Sequence, residues 1–419
     1  MSGVYRIVDL RPIAVNELKH THMRLNSLCV KDPKSAETTP SHQLAIHPTS
    51  SFVFQSVEDA VRAFENPMDE HLYSRFGNPT VDAVAQKIAD LETFGTGYDD
   101  GWGIMTSSGM SAISTLIFGT LSQGDKILSQ ANLYGGTTEL IKNFFPQYGI
   151  EILWADDLTD EEEVSKLLSE DKSIKMIYFE TPSNPALDCI DLSAIATLAK
   201  SHKVLTAIDN TFCTPVIQQP IKHGIDYVIH STTKYLNGHG NGISGIIVGR
   251  GLEEKKLIWG AMKMTGTNCN AWDAWLTNTG MKTLELRMRE HSANAQALAE
   301  FLSQHDQVES VNYLGLADHP YHTLAARQMR YFGGMMCFEV KGGVEAGIQF
   351  MNTQKMGSLA PTMGDVDTLL MHPASMSHRN IDRDIRIAHG IGDGLIRVSV
   401  GIEDVQDLIE DFDKALIQG

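Results

Sequence analysis

The strongest constraint on this chain is a run of short strand-like segments alternating with helical patterns between about residues 102 and 250. Lys126–Ser129, Glu151–Trp154, Ile174–Phe179, Val204–Ile208, Tyr227–Ile229 and Ile243–Val248 are rich in apolar and β-branched residues. Helical apolar spacing lies between several of them, as in Asp191–Lys200. This alternation predicts an α/β fold: a mostly parallel sheet with helices on both faces, with ligands gathering at the carboxyl ends of the strands.

The 419 residues suffice for two domains. After about Gly266 the pattern shifts. Trp272–Leu302 reads as a long helical stretch with a break near Thr279-Gly280. A strand follows at Met335–Val340, a helix near Gly343–Met351, a last strand at Gly394–Gly401 and an acidic helix from Glu403. Before about Glu65 the segments are short and mixed, with a capped helix at Ser56–Phe64. Asn-Pro then breaks the chain, and Thr80 is expected to cap a helix over Val81–Leu91. The expected organisation is an N-terminal arm at 1–75, a large domain at 76–284 and a smaller α/β domain at 285–419.

A formal charge of −18 argues against nucleic acid or an anionic membrane as partner. Five scattered cysteines without C-x-x-C spacing fit a reducing compartment, and no apolar run is long enough to span a bilayer. The expected location is cytoplasmic. His230, His239 and His378 lack ligand spacing, so no metal is expected.

The chemistry centres on Ile225–Gly240. A buried strand ends in a turn that carries Lys234 beside the hydroxyls of Ser231, Thr232 and Thr233. Burial disfavours an ammonium and frees a nucleophilic amine, while hydroxyls donate to phosphate. The combination suggests a Schiff base to pyridoxal phosphate; the plainer alternative is a lysine that ends a strand and reaches solvent. Other strand ends offer matching parts. The Ser107–Gly109 turn opens a helix whose N-terminus favours an anion. Asn184 is a candidate donor to a phenolate oxygen, Asp209 a partner for a pyridinium nitrogen, and Tyr134 a ring to stack on the pyridine face. Each also has a plain reading as a turn, cap or packing residue.

Eight ordered motifs resemble the Cys/Met-metabolism (transsulfuration) family of pyridoxal-phosphate enzymes. They are Tyr73-x-Arg75-x-x-Asn-Pro-Thr, Ser107-Ser-Gly-Met110, Leu133-Tyr-Gly-Gly-Thr137, Glu180-Thr-Pro-Ser-Asn-Pro185, Asp209-Asn-Thr, His230-Ser-x-Thr-Lys-Tyr235, His372-Pro-Ala-Ser-Met-Ser-His378 and Leu395-Ile-Arg-Val-Ser-Val-Gly-Ile-Glu403. The resemblance runs from about Pro48 to the C-terminus and implies the aspartate-aminotransferase-like architecture called fold type I. It makes Lys234 the Schiff-base lysine, Asp209 the pyridine-nitrogen partner and Tyr134 the stacked ring. Ser108, Gly109, Met110, Ser231 and Thr233 become the phosphate cradle, with Asn184 beside the ring. Tyr73 and Arg75 would reach the phosphate of a neighbouring subunit, which makes a dimer the active unit and a tetramer the usual form. Arg397 would grip the substrate carboxylate, with Thr362 and Tyr73 lining the substrate pocket.

The implied activity is chemistry at the γ-carbon of an amino acid. Gly136 stands where methionine γ-lyases have cysteine, and their Lys-Asp pair appears as Met262-Lys263. The glutamate of cystathionine-cleaving members falls on or near Pro361, followed by Thr362-Met363. Similarity is greatest to the methionine γ-lyase and O-acetylhomoserine sulfhydrylase branches. The expected reaction is γ-elimination on methionine- or homocysteine-type substrates, giving 2-oxobutanoate, ammonia and a thiol. The alternatives are γ-replacement on an activated homoserine ester, as in a sulfhydrylase or cystathionine γ-synthase, then a cystathionine γ-lyase, an aminotransferase, or a non-catalytic scaffold.

Overall fold

The structure is a computed structural model that describes residues 23–32, 41–184, 186–388 and 390–418. Residues 1–22 and 33–40 of the expected arm, and Pro185 of the Glu180 motif, lie outside the described residues.

Seven strands form one sheet: β1 (Gly101–Thr106), β2 (Lys126–Gln130), β3 (Glu151–Ala155), β4 (Ile174–Glu180), β5 (Leu205–Asp209), β6 (Tyr227–Ser231) and β7 (Gly245–Arg250). Their order is β1-β7-β6-β5-β4-β2-β3, with β7 antiparallel to both its neighbours and every other pair parallel. The expected mostly parallel sheet is therefore present. Both of its faces are buried. Tyr227 and Ile229 of β6 join one apolar cluster with Ile113 and Leu116 of the Gly109–Thr120 helix, while Val228 joins another with Val84 and Ile88 of the Pro79–Glu92 helix. Period-two alternation thus supplies two cores, which is why these strands are apolar throughout.

A second sheet contains β8 (Val308–Asn312), β9 (Met335–Val340), β10 (Ser358–Leu359), β11 (Leu369–Met371) and β12 (Leu395–Ser399), in the order β10-β11-β12-β9-β8. It packs on the Leu284–Leu302, Gly343–Thr353 and Val405–Gln418 helices through Leu298, Phe338, Phe350, Ile396 and Phe412. Among the described residues no helix is long and apolar enough to cross a membrane. None of the five cysteines forms a disulfide among the described residues, and all are buried.

One local expectation changes. Asn78, not Thr80, caps the Pro79–Glu92 helix: its side chain accepts from the Thr80 N–H, and proline takes the first helical position, where no N–H is needed. The Thr80 hydroxyl instead donates to the Ala45 carbonyl at 2.8 Å. Part of the arm packs on its own chain, because Leu28 and Cys29 of the Leu25–Val30 helix enter the core and Asp32 accepts from Lys282 and Asn278. Gly280 stands one residue before the end of its Ala271–Met281 helix, and the next helix starts at Leu284, so the expected break near Thr279-Gly280 is present. The missing side chain of Gly280 serves close approach: a Cβ there would fall 1.9 Å from the Asn237 carbonyl oxygen. That carbonyl belongs to the turn carrying Lys234, so the helix backbone lies directly against the segment on which the site depends.

Gly280→Ala is therefore expected to destabilise the protein by about 1–3 kcal/mol or more through overpacking. A chemical-denaturation series against the wild type checks this; an unchanged midpoint would contradict the close approach.

Candidate active site

The carboxyl ends of β1, β2, β4, β5 and β6 converge on one edge of the large sheet, and the site is assembled from the turns that leave them. Lys234 follows β6 and is partly buried. Its Nζ donates to Thr362 Oγ1 at 2.5 Å. Burial, and then the nearby Arg397 charge, push the Lys234 amine below the usual lysine range. Thr362 arrives from the segment leading to β11, held down by Gly364. A Cβ on Gly364 would lie 2.7 Å from the Tyr235 nitrogen and 3.2 Å from Lys234 Cβ, and φ of +83° also favours glycine there.

Arg397 lies mid-strand on β12 and is only 7% exposed. One of its Nη atoms donates to the Thr362 carbonyl at 3.0 Å, and the other makes a long 3.5 Å contact to Asn184 Oδ1. No carboxylate pairs with it among the described residues. A buried guanidinium without an anion is costly, so this position is complementary to an incoming carboxylate.

Asp209 and Glu180 end the adjacent parallel strands β5 and β4 as register partners. Asp209 accepts from the Thr211 N–H at 3.0 Å; burial raises its carboxyl above the usual range, against that hydrogen bond. Glu180 accepts the Tyr134 N–H with both oxygens, each at 3.0 Å, and is raised well above its usual range by burial and by Asp209. Tyr134 opens the Gly135–Glu139 helix with its side chain 52% exposed.

The Ser107–Gly109 turn meets β6 closely. A Cβ on Gly109 would sit 2.8 Å from Ser231 Cβ, so glycine brings the helix N-terminus against the strand end. Ser108 caps this helix in a reciprocal capping box with Ser111, and the Met110 sulfur lies beside Gly136. Two hydroxyls expected to face a phosphate are engaged elsewhere. Thr233 donates to the Ser244 carbonyl at 3.1 Å, and Thr232 shares a 2.5 Å hydrogen bond with the Ser244 hydroxyl. Asn184 likewise turns its oxygen to Arg397. These pairings join residues from separate segments, so nothing local in the sequence announces them.

Tyr73 and Arg75 stand apart. Arg75 donates to the Lys263 carbonyl and lies over the Tyr73 and Phe76 rings, and Tyr73 is 44% exposed. Neither makes a hydrogen bond to the Lys234 turn among the described residues. Also among the described residues, no cluster of three His, Cys, Asp or Glu side chains is arranged to hold a metal. His239 is exposed and bonds the Asn237 carbonyl.

The profile of a family described as "Cys/Met metabolism PLP-dependent enzyme" matches residues 26–417. The chain belongs to this family. An L-methionine gamma-lyase from Fusobacterium nucleatum subsp. polymorphum is 41% identical over 375 residues, covering 89% of this chain and 93% of the relative. An O-succinylhomoserine sulfhydrylase from Pseudomonas aeruginosa is 39% identical, covering 93% and 94%. The crystal structure of a cystathionine gamma synthase from Xanthomonas oryzae pv. oryzae, in complex with aminoacrylate and cysteine, superposes with a TM-score of 0.86 at 36% identity, covering 94% of this chain and 98% of that one. This Cys/Met-metabolism enzyme therefore has the fold-type-I architecture, uses pyridoxal phosphate and takes small amino-acid substrates. Its side chains fit such a cofactor. They provide an amine, an exposed aromatic ring, a tight helix N-terminus, and a strand-end carboxylate with no lysine or arginine ion pair among the described residues.

Sequence reasoning passed over Glu180 and Gly364. Glu180 stood in a quoted motif, but the Tyr134 N–H it accepts is 46 positions away.

Arg397→Met is expected to leave the denaturation midpoint unchanged or higher, since it removes a buried charge lacking an anion. A loss exceeding about 3 kcal/mol, the scale for breaking a paired buried charge, would show that the guanidinium is structural instead.

Proposed function

We propose that this protein is a carbon–sulfur lyase that performs γ-elimination on methionine- or homocysteine-type substrates, releasing 2-oxobutanoate, ammonia and a thiol. The observation that carries the reading is the convergence of Lys234 and Arg397 on Thr362, a nucleophilic amine and an unpaired guanidinium held by one residue. Names of relatives support it, with methionine γ-lyase recurring at 38–41% identity.

In this reading Lys234 would hold the cofactor through its carbonyl, Asp209 would pair with the pyridine nitrogen, and Tyr134 and Asn184 would bind beside the ring. Ser108, Gly109, Met110, Ser231 and Thr233 surround the phosphate; Thr233 would first have to release Ser244. When bound, pyridoxal phosphate supplies an electron-withdrawing ring that spreads the charge developing at the substrate Cα. Arg397 binds the α-carboxylate through its planar fork and so orients the Cα–H bond. The Lys234 amine, kept neutral more easily by burial and by Arg397, accepts the Cα proton while Thr362 Oγ1 steadies its Nζ. As the Cγ–S bond breaks, the Tyr134 hydroxyl gives its proton to the departing sulfur, and the proton lost from Cβ restores it.

Tyr73 and Arg75 complete the phosphate site of a neighbouring subunit, which makes a dimer the smallest active unit and a tetramer the expected form. The exposure of Tyr73, and the absence of a hydrogen bond from either residue to this chain's own Lys234 turn among the described residues, support that arrangement. Cysteines held outside any disulfide among the described residues support a cytoplasmic location.

A second reading is γ-replacement on an activated homoserine ester. It is favoured by the sulfhydrylase relative at 39% identity and by the cystathionine gamma synthase fold match. The same side chains serve both, and the outcome depends on whether water or a thiol completes the reaction.

Purified enzyme should release 2-oxobutanoate and a thiol from methionine or homocysteine, and Lys234→Ala should abolish turnover while keeping the fold. A new thioether or homocysteine formed only when a homoserine ester and sulfide are supplied together would establish the second reading. Undiminished turnover by Lys234→Ala would remove both.

A further inference from the structure

Glu180 has no role in the scheme above, yet it is among the most tightly placed carboxyl groups in the site. It is 7% exposed, and its register partner across the β4–β5 pair is Asp209. Register partners on neighbouring parallel strands point to the same face with about 4.8 Å between strands. Two acidic side chains thus stand side by side at the sheet edge. The groups around Glu180 come from three elements: Asp209 on β5, Tyr178 two residues back on β4, and the Tyr134 N–H from the turn after β2. None is a cation. His230 on β6 acts on Asp209, and its own Nε2 is committed to Glu92 at 2.5 Å.

We propose that Glu180 is a positioning residue that holds the Tyr134 turn as a neutral carboxylic acid, leaving Asp209 as the ionised member of the pair. The inference rests on the reading that Tyr134 and Asp209 face the cofactor ring. Two adjacent carboxyl groups in a poorly solvated site do not both ionise; the better solvated one takes the charge. Asp209 is the more exposed of the two and would meet the ring nitrogen. Glu180 has one N–H shared between two oxygens, too few donors to stabilise a buried anion. Burial and the Asp209 charge both favour its acid form. That acid is the tether of the Tyr134 main chain, because the Gly135–Glu139 helix has no side-chain cap and the half-exposed ring rests on Gly136 of its own turn.

The test uses the holoenzyme with E180A and E180Q. Alanine removes the acceptor, so the Tyr134 ring drifts, kcat falls on the order of tenfold to hundredfold, KM changes less, and the absorbance band of the bound cofactor shifts. Glutamine is neutral and retains an acceptor oxygen, so it recovers most of that loss and the wild-type band. Infrared difference spectra of wild type minus E180Q should show a protonated-carboxyl stretch, a readout that stands even where E180A does not fold. E180Q as impaired as E180A, E180A with wild-type kcat and absorbance, or a difference spectrum showing only carboxylate bands would each overturn the assignment. The two levels of failure are separable. A wild-type protein that develops no cofactor band defeats the site reading, whereas a normal wild-type band with an indifferent E180A defeats only the role of Glu180.

Discussion

Thr362 holds two cations at once, and the rest of the site follows from that. Its hydroxyl accepts from Lys234 Nζ and its carbonyl accepts from Arg397. Burial, and then the neighbouring Arg397 charge, depress the lysine, while burial disfavours the guanidinium charge and leaves it seeking an anion. Both effects suit an enzyme that needs a neutral amine next to a carboxylate clamp. The arrangement requires close backbone contact, and glycines provide it. Gly364 lets the Thr362 segment lie on Lys234, while Gly280 lets a helix press on Asn237 three residues further along. The reactive turn is gripped from two sides, so its lysine is held by the fold rather than by its own loop.

Much of this was legible in the sequence, for physical reasons. Strands buried on both faces must be apolar throughout, so the six large-sheet strands after β1 stood out, and strand ends marked Asp209 and Lys234 without any structure. What stayed hidden depends on residues distant in sequence. The orientation of Thr233 is set by Ser244, the Asn184 side chain by Arg397, and the Tyr134 main chain by Glu180. Gly280 marked the helix break but not the close contact, because glycine in a helical pattern signals a stop as readily as a close approach. Thr80 misled because the asparagine two residues earlier is an equally good cap, and Pro79 fixes the first helical position.

Lys87 provides an internal comparison. It is 3% exposed, donates to Asn278 at 2.9 Å, and is pushed down to about 8 by burial. A depressed lysine is therefore not in itself a catalytic one. Lys87 is sealed between helices and tied to a side-chain amide, whereas Lys234 sits at a strand end among an open tyrosine, a strand-end carboxylate and an unpaired guanidinium. Surroundings distinguish the two.

The central claim is that Lys234 carries the cofactor, and borohydride fixation tests it directly. Reducing the yellow holoenzyme, digesting it and mapping the modified peptide by mass spectrometry should place one pyridoxyl group on Lys234, with Lys87 unmodified. A label on Lys87 or another lysine, or no label on a cofactor-loaded and active enzyme, would contradict the account.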